Sequence, residues 1–217
     1  MCWSATADLA AGSAVAAVGV ACLARTRRTR DLPLAALPLL LGIHQVIEAV
    51  VWHAGGGAGP ATTAWAVVAL PVLALWVPCG VLLAAPRPVP SRLLLPVAAG
   101  TATASVLALR IAARPVTAEV RGHTVGYVID LPLPALVVAG YLLATVGSLV
   151  ITTDPLLRLF GAVVGAGALI CFLLWRLEYV STWCAFAAVS AVLMLGWVRR
   201  GPGSPARARR NPGIRTP

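Results

Sequence analysis

Lysine is absent from this 217-residue chain: all 17 of its cationic side chains are arginine. A retinal Schiff base needs a lysine amine, so retinal is excluded as a cofactor. Charge of either sign is scarce, at 11% of residues, where a soluble domain carries about 25%. A hydrophobic share of 59% and a mean hydropathy of +0.89 replace it. Most of the chain is therefore solvated by lipid, and one membrane domain accounts for the whole length. The five cysteines, Cys2, Cys22, Cys79, Cys171 and Cys184, show no CxxC or other metal-type spacing. Neither GxSxG nor HExxH occurs, so no hydrolase or metalloprotease motif is present.

The formal charge of +10 does not imply a nucleic-acid partner. Most arginines flank apolar segments, where they set topology and meet anionic headgroups. The partner expected is the lipid bilayer. Abundant Ala, Gly and Pro without lysine fit a high-GC bacterial genome, hence a multi-pass protein of the bacterial plasma membrane.

About 20 apolar residues cross a bilayer as a helix. Seven stretches qualify, near 7–24, 33–52, 62–85, 93–112, 131–151, 156–175 and 180–198. The expected fold is an all-α seven-transmembrane-helix bundle over residues 1–200, followed by a disordered basic cytoplasmic tail, 201–217. The first span lacks a basic n-region and is read as a retained helix. Pro38, Pro71, Pro78 and Pro96 should kink their helices. Gly161, Gly165 and Gly167 suit a close packing seam. Residues 115–130 alternate Val116, Ala118, Val120 and then Val125, Tyr127 with polar partners about a turn at Arg121-Gly122, the pattern of a β-hairpin. A lone hairpin is barely stable, so it should lie on the mouth of the bundle.

Arginine placement sets orientation. Thirteen follow spans 1, 3, 5 and 7, whereas Arg110, Arg114, Arg121 and Arg176 lie on the other side. The positive-inside rule gives an outside N-terminus and an inside C-terminus, with an extracytoplasmic hairpin.

The polar residues of span 2 are the strongest functional signal. Relative to His44, Glu48 falls at about 40°, Trp52 at about 80° and Gln45 at about 100° around the helix. Lipid satisfies neither a carboxylate nor an imidazole, so this face looks into the bundle. Cys2, Ser4, Asp8, Arg110, Asp130, Arg176, Trp183 and Cys184 map to the same outer level. Together they predict an outward-facing pocket, lidded by the hairpin.

Blander readings stand beside that one. Glu48 can pair with Arg110 or Arg176 to hold the bundle. His44 can bond Glu48 one turn away. Trp3, Trp52, Trp175 and Trp183 suit an interfacial aromatic belt, and Cys2 could bond Cys184. Sharper readings are a metal site on His44 and Glu48, completed by Cys2, Cys184, Asp8 or His123, and a proton relay through the same pair. A hydrolase would draw its nucleophile from Ser4, Ser181 or Cys184. A bridging haem is poorly served, because His44 is the only histidine within a span.

MCWSATADLAAG, PLAALPLLLGIHQVIEAVVW, GHTVGYVIDLP and STWCAFAAVSA together resemble an uncharacterised family of small bacterial seven-helix membrane proteins. The resemblance implies a Cys-aromatic-Ser-Ala start at Cys2–Ala5, a Gln-x-x-Glu step at Gln45 and Glu48, and a Trp-Cys step at Trp183 and Cys184. It implies no activity. Ceramidase-like and adiponectin-receptor-like hydrolases carry paired helix 7 histidines, which are missing here. Three function classes follow: a binder or transporter of a small molecule or lipid, a membrane-embedded enzyme or metal-site protein, and a structural or sensory subunit.

The orientation is directly testable. A reporter fused after Pro217 is expected to behave as cytoplasmic; an extracytoplasmic signal would reverse it.

Overall fold

A computed structural model describes residues 4–174 and 186–200. Cys2, Trp3, Trp175, Arg176, Ser181, Trp183, Cys184 and the expected tail lie outside the described residues, as does any Cys2–Cys184 bond.

The first helix, α1, is Ala5–Arg25. A one-turn helix α2, Leu32–Ala35, leads into α3, Leu37–His53. Next come α4, Pro60–Val67, a wide π-helical turn at Val68–Val72, and α5, Leu73–Ala84. Helix α6 is Leu94–Ala113. Strands β1, Thr117–Arg121, and β2, Thr124–Val128, form the hairpin. Then α7, Pro134–Leu142, a second π-helical turn at Leu143–Gly147, and α8, Ser148–Ile151, make one rod. Helices α9, Pro155–Leu174, and α10, Ala187–Arg200, complete the described chain.

Six of these rods, Ala5–Arg25, Thr29–His53, Pro60–Ala84, Ser91–Ala113, Pro134–Ile151 and Pro155–Leu173, are long and apolar enough to cross a membrane. Their outward side chains agree: Leu95, Leu109, Leu136 and Leu173 are each more than half exposed. Such surfaces are stable against lipid rather than water. The chain has the architecture of a multi-pass membrane protein.

The prolines act in two ways. Pro38 and Pro96 lie in the first turns of α3 and α6, where a missing N–H costs little. The expected mid-helix kink is therefore absent at Pro96, and Pro38 follows a break at Ala36. Pro71 and Pro78 do stand inside helices, Pro71 within the first π-helical turn. Backbone carbonyls near these irregularities find side-chain donors: Trp76 Nε1 donates to Pro33 O at 2.7 Å, and Tyr141 Oη to Ala69 O at 2.6 Å. That second bond ties the first π-helical turn to α7, just ahead of the second.

Helix α1 lies most extensively along α3. A Cβ at Gly19 would fall 2.2 Å from Leu39 N, and one at Gly42 would fall 2.5 Å from Ala16 N. The two backbones touch there, and only glycine permits it. The seam expected at Gly161 is present too, against Leu149 and Val150 of α8, while Gly167 abuts Phe186. An apolar core at the arginine-rich end joins Leu34, Val81, Leu93, Leu157, Met194 and Trp197.

The glycine seam yields a prediction. Gly42→Val or Gly19→Val forces α1 and α3 apart, at a cost of about 1–3 kcal/mol or more for overpacking against backbone. The melting temperature in detergent should fall for both, but hardly move for Gly59→Ala, where a Cβ meets nothing within 4 Å.

Candidate functional site

The seam determines what meets at the hairpin end. Ser4 caps α1, its Oγ accepting from Ala7 N at 3.2 Å. One turn further on, Asp8 points at α3. It is 1% exposed, beside His44 at 2%, Gln45 at 3% and Glu48 at 0%. The α3 face expected to be buried is buried. A Cβ on Gly12 would lie 3.0 Å from Gln45 Cβ, so the bare backbone of α1 is what admits Gln45. Asp8 lies within electrostatic range of Glu48, and the Trp52 indole faces its carboxylate without closing a geometric hydrogen bond.

The cluster is roofed by aromatic rings. Trp65 of α4 is fully buried. Tyr127 of β2 stacks on it with centroids 3.4 Å apart and planes 4° off parallel. His44 lies against Trp65 at 5.0 Å, tilted by 39°. The Tyr127 hydroxyl reaches Glu48 Oε1 at 3.5 Å. With centroids that close, Tyr127 and Trp65 overlap face to face with little offset, so their contribution comes chiefly from buried area.

The hairpin is therefore a cap. Its register pairs Thr117 with Val128 and Arg121 with Thr124, so the turn is Gly122-His123, one residue later than Arg121-Gly122. Gly122 has φ of +60°, as the first position of a type II′ turn requires. Val116, Ala118 and Val125 pack on Val51, Trp65, Ala66 and Ala69. Gly57 and Ala118 exchange backbone hydrogen bonds of 2.7 and 3.1 Å. Gly55, Gly56 and Gly57 all have positive φ, and a Cβ on Gly56 would strike Ala118 O at 2.5 Å. That glycine run lets the connection pass beneath the hairpin.

Several expected members do not join. Ser4 is exposed and serves as a helix cap. Arg110 makes no ion pair among the described residues and so is not the partner of Glu48; the ion pairs there are Arg114–Asp130 and Arg121–Glu119. Asp130 is thus tied to Arg114 at the base of the hairpin. His123 is exposed at the turn and cannot share a metal with buried His44. Trp52 faces the cluster as well as the interface. No group of three or more His, Cys, Asp or Glu side chains capable of holding a metal occurs among the described residues. Trp65 and Tyr127 were missed as site residues, since nothing local distinguishes them from core aromatics.

Beneath His44 lies a cavity of about 90 Å³. Its lining is chiefly apolar, with Leu41, Leu73, Val77, Phe160 and Phe186, and both π-helical turns contribute, through Ala69 and Thr145. π-Helical turns recur at functional sites because they widen a helix locally. His44 belongs to both regions: it lines the cavity and packs on the Trp65 roof. Its Nδ1 is buried without a hydrogen-bond partner among the described residues.

The roof separates two substitutions. Trp65→Ala should cost about 3–5 kcal/mol as a buried aromatic truncation and speed proteolysis of the hairpin. Tyr127→Phe keeps the stack and gives up the hydroxyl contact to Glu48, so it should cost less than Trp65→Ala, about 1 kcal/mol. Equal effects on the melting temperature would refute the stack as the element that holds the cap.

A family model described as "Family of unknown function (DUF6629)" matches residues 1–210. No curated protein and no solved structure matches the chain. The buried Gln45 and Glu48 thus lie within a match covering nearly the whole sequence, and the chain belongs to this family of unknown function.

Proposed function

We propose that this protein binds a small molecule or lipid inside the bilayer, at a site made of the capped polar cluster and the cavity beneath it. The observation that carries the reading is the position of His44. It joins the buried acid cluster to an apolar cavity, and its Nδ1 has no partner among the described residues. A buried polar atom without a partner costs about 1–3 kcal/mol, a cost a bound molecule would offset. A structural subunit needing only helix packing has no use for it. The metal-site reading has less support, since Asp8, His44 and Glu48 do not converge as a three-donor ligand group among the described residues.

The finer picture is a seven-span protein of the bacterial plasma membrane, N-terminus out, with the cap on the outer surface. The arginine distribution supports that orientation, and α10 packs along α1 and α9 as a further span would.

The test is direct. Protein purified in mild detergent is extracted, and bound molecules are quantified by mass spectrometry beside an Ala187→Leu variant. Ala187 lines the cavity, and leucine would fill much of it. The expected outcome is a co-purifying molecule near stoichiometry in the wild type and depleted in a variant of unchanged melting temperature. Equal recovery from both proteins, at the level of bulk lipid, would overturn the proposal.

A further inference from the structure

The cavity's polar atoms narrow the ligand class. Four polar side chains among the described residues line it: His44, Tyr141, Thr145 and Ser190. A hydroxyl has a single proton to donate, and all three hydroxyls spend theirs on backbone. Tyr141 donates to Ala69 O at 2.6 Å, Thr145 to Tyr141 O at 2.8 Å and Ser190 to Phe186 O at 2.8 Å. The imidazole of His44 makes no hydrogen bond among the described residues, and it is 2% exposed. Among the described residues, no Asp, Glu or Arg lines the cavity. A charged group entering it would lack a counter-charge in a low-dielectric setting, at a cost of several kcal/mol or more.

Resting on the binding site proposed above, we infer that the cavity takes a neutral, largely hydrocarbon molecule carrying one hydroxyl or carbonyl, held by a hydrogen bond to His44. A volume of about 90 Å³, below the roughly 150 Å³ of an engineered apolar cavity that binds benzene, takes the oxygen-bearing end of such a molecule while the rest of its chain lies among the lipid tails. A charged headgroup stays outside it. The neutral imidazole offers one donor and one acceptor, so either oxygen type is served. The carboxylates of Asp8 and Glu48 do not line the cavity and play no part in this contact.

The experiment uses three photolabels of equal length on the full chain in lipid nanodiscs: a diazirine-bearing octanol, the matching octane and the matching octanoate. Labelled positions are read by peptide mass spectrometry. The octanol should label the stretches around Leu41, Leu73 and Phe186, well above the octane, and the octanoate should leave them unlabelled. His44→Phe keeps a ring against Trp65 but removes the hydrogen bond. It should lower octanol labelling about tenfold, the worth of one such bond, while leaving octane labelling unchanged. His44→Gln, which restores a donor and an acceptor, should recover part of it. Octanoate labelling equal to octanol overturns the neutral class, and equal octanol and octane labelling that ignores His44→Phe overturns the hydrogen bond. If no probe labels the cavity while a co-purified molecule is still lost in Ala187→Leu, only the ligand class fails. If that molecule is absent as well, the binding reading fails with it.

Discussion

The contact between α1 and α3 carries the rest of the structure. In lipid, helices gain nothing from hiding apolar surface, so association rests on backbone approach and polar contacts. Gly12, Gly19 and Gly42 supply the approach, and Asp8 and Glu48 make it specific. Separating the two helices would turn both carboxylates toward lipid, where an acid is heavily penalised. The acids thus add little attraction of their own, yet they raise the energy of every arrangement in which the seam is open. Packing supplies the stability and the buried acids select the register.

A second constraint operates lower in the bundle. Irregular backbone is tolerated at membrane depth only where its polar groups find partners. Two π-helical turns lie there, and Tyr141, two residues before the second, donates to Ala69 in the first. Thr145 and Ser148 donate to carbonyls within the same turn. Widened turns leave room that regular helices would fill. The cavity beside them is therefore a consequence of satisfied backbone geometry rather than of poor packing.

Much of this was legible in the sequence, for identifiable reasons. Hydropathy and length located six of the expected rods to within a few residues, because lipid imposes a uniform demand along each. Period-two alternation located the hairpin, and the 100° helical step placed His44, Gln45 and Glu48 on one buried face. What escaped depends on which rods are neighbours. Gly12 and Gly19 read as ordinary small residues until α3 is laid against them. Trp65 and Tyr127 are far apart in the chain and meet only once the hairpin folds back over α4. Arg110 was expected near Glu48 on depth alone, but depth fixes one coordinate and leaves the angle around the bundle free. The glycine run at Gly55–Gly57 carried a usable signal: three successive glycines before a span imply positive φ and a close neighbour.

The two halves of the site meet in one stack of rings, and that geometry bears on how a ligand would enter. From the hairpin end the cavity lies behind His44, Trp65 and Tyr127. Opening that route means lifting the hairpin, which would expose Val116 and Val125 and break the Gly57–Ala118 backbone pair. Exposing two valines alone costs about 3–6 kcal/mol, before the lost stacking and hydrogen bonds are added. From the bilayer, a hydrocarbon molecule already dissolved among the lipid tails needs only side-chain rearrangement between helices. No polar surface has to be bared for it to pass. The cap is better understood as a seal over the acids than as a gate for the ligand, and the cheaper path into the cavity runs sideways, through lipid.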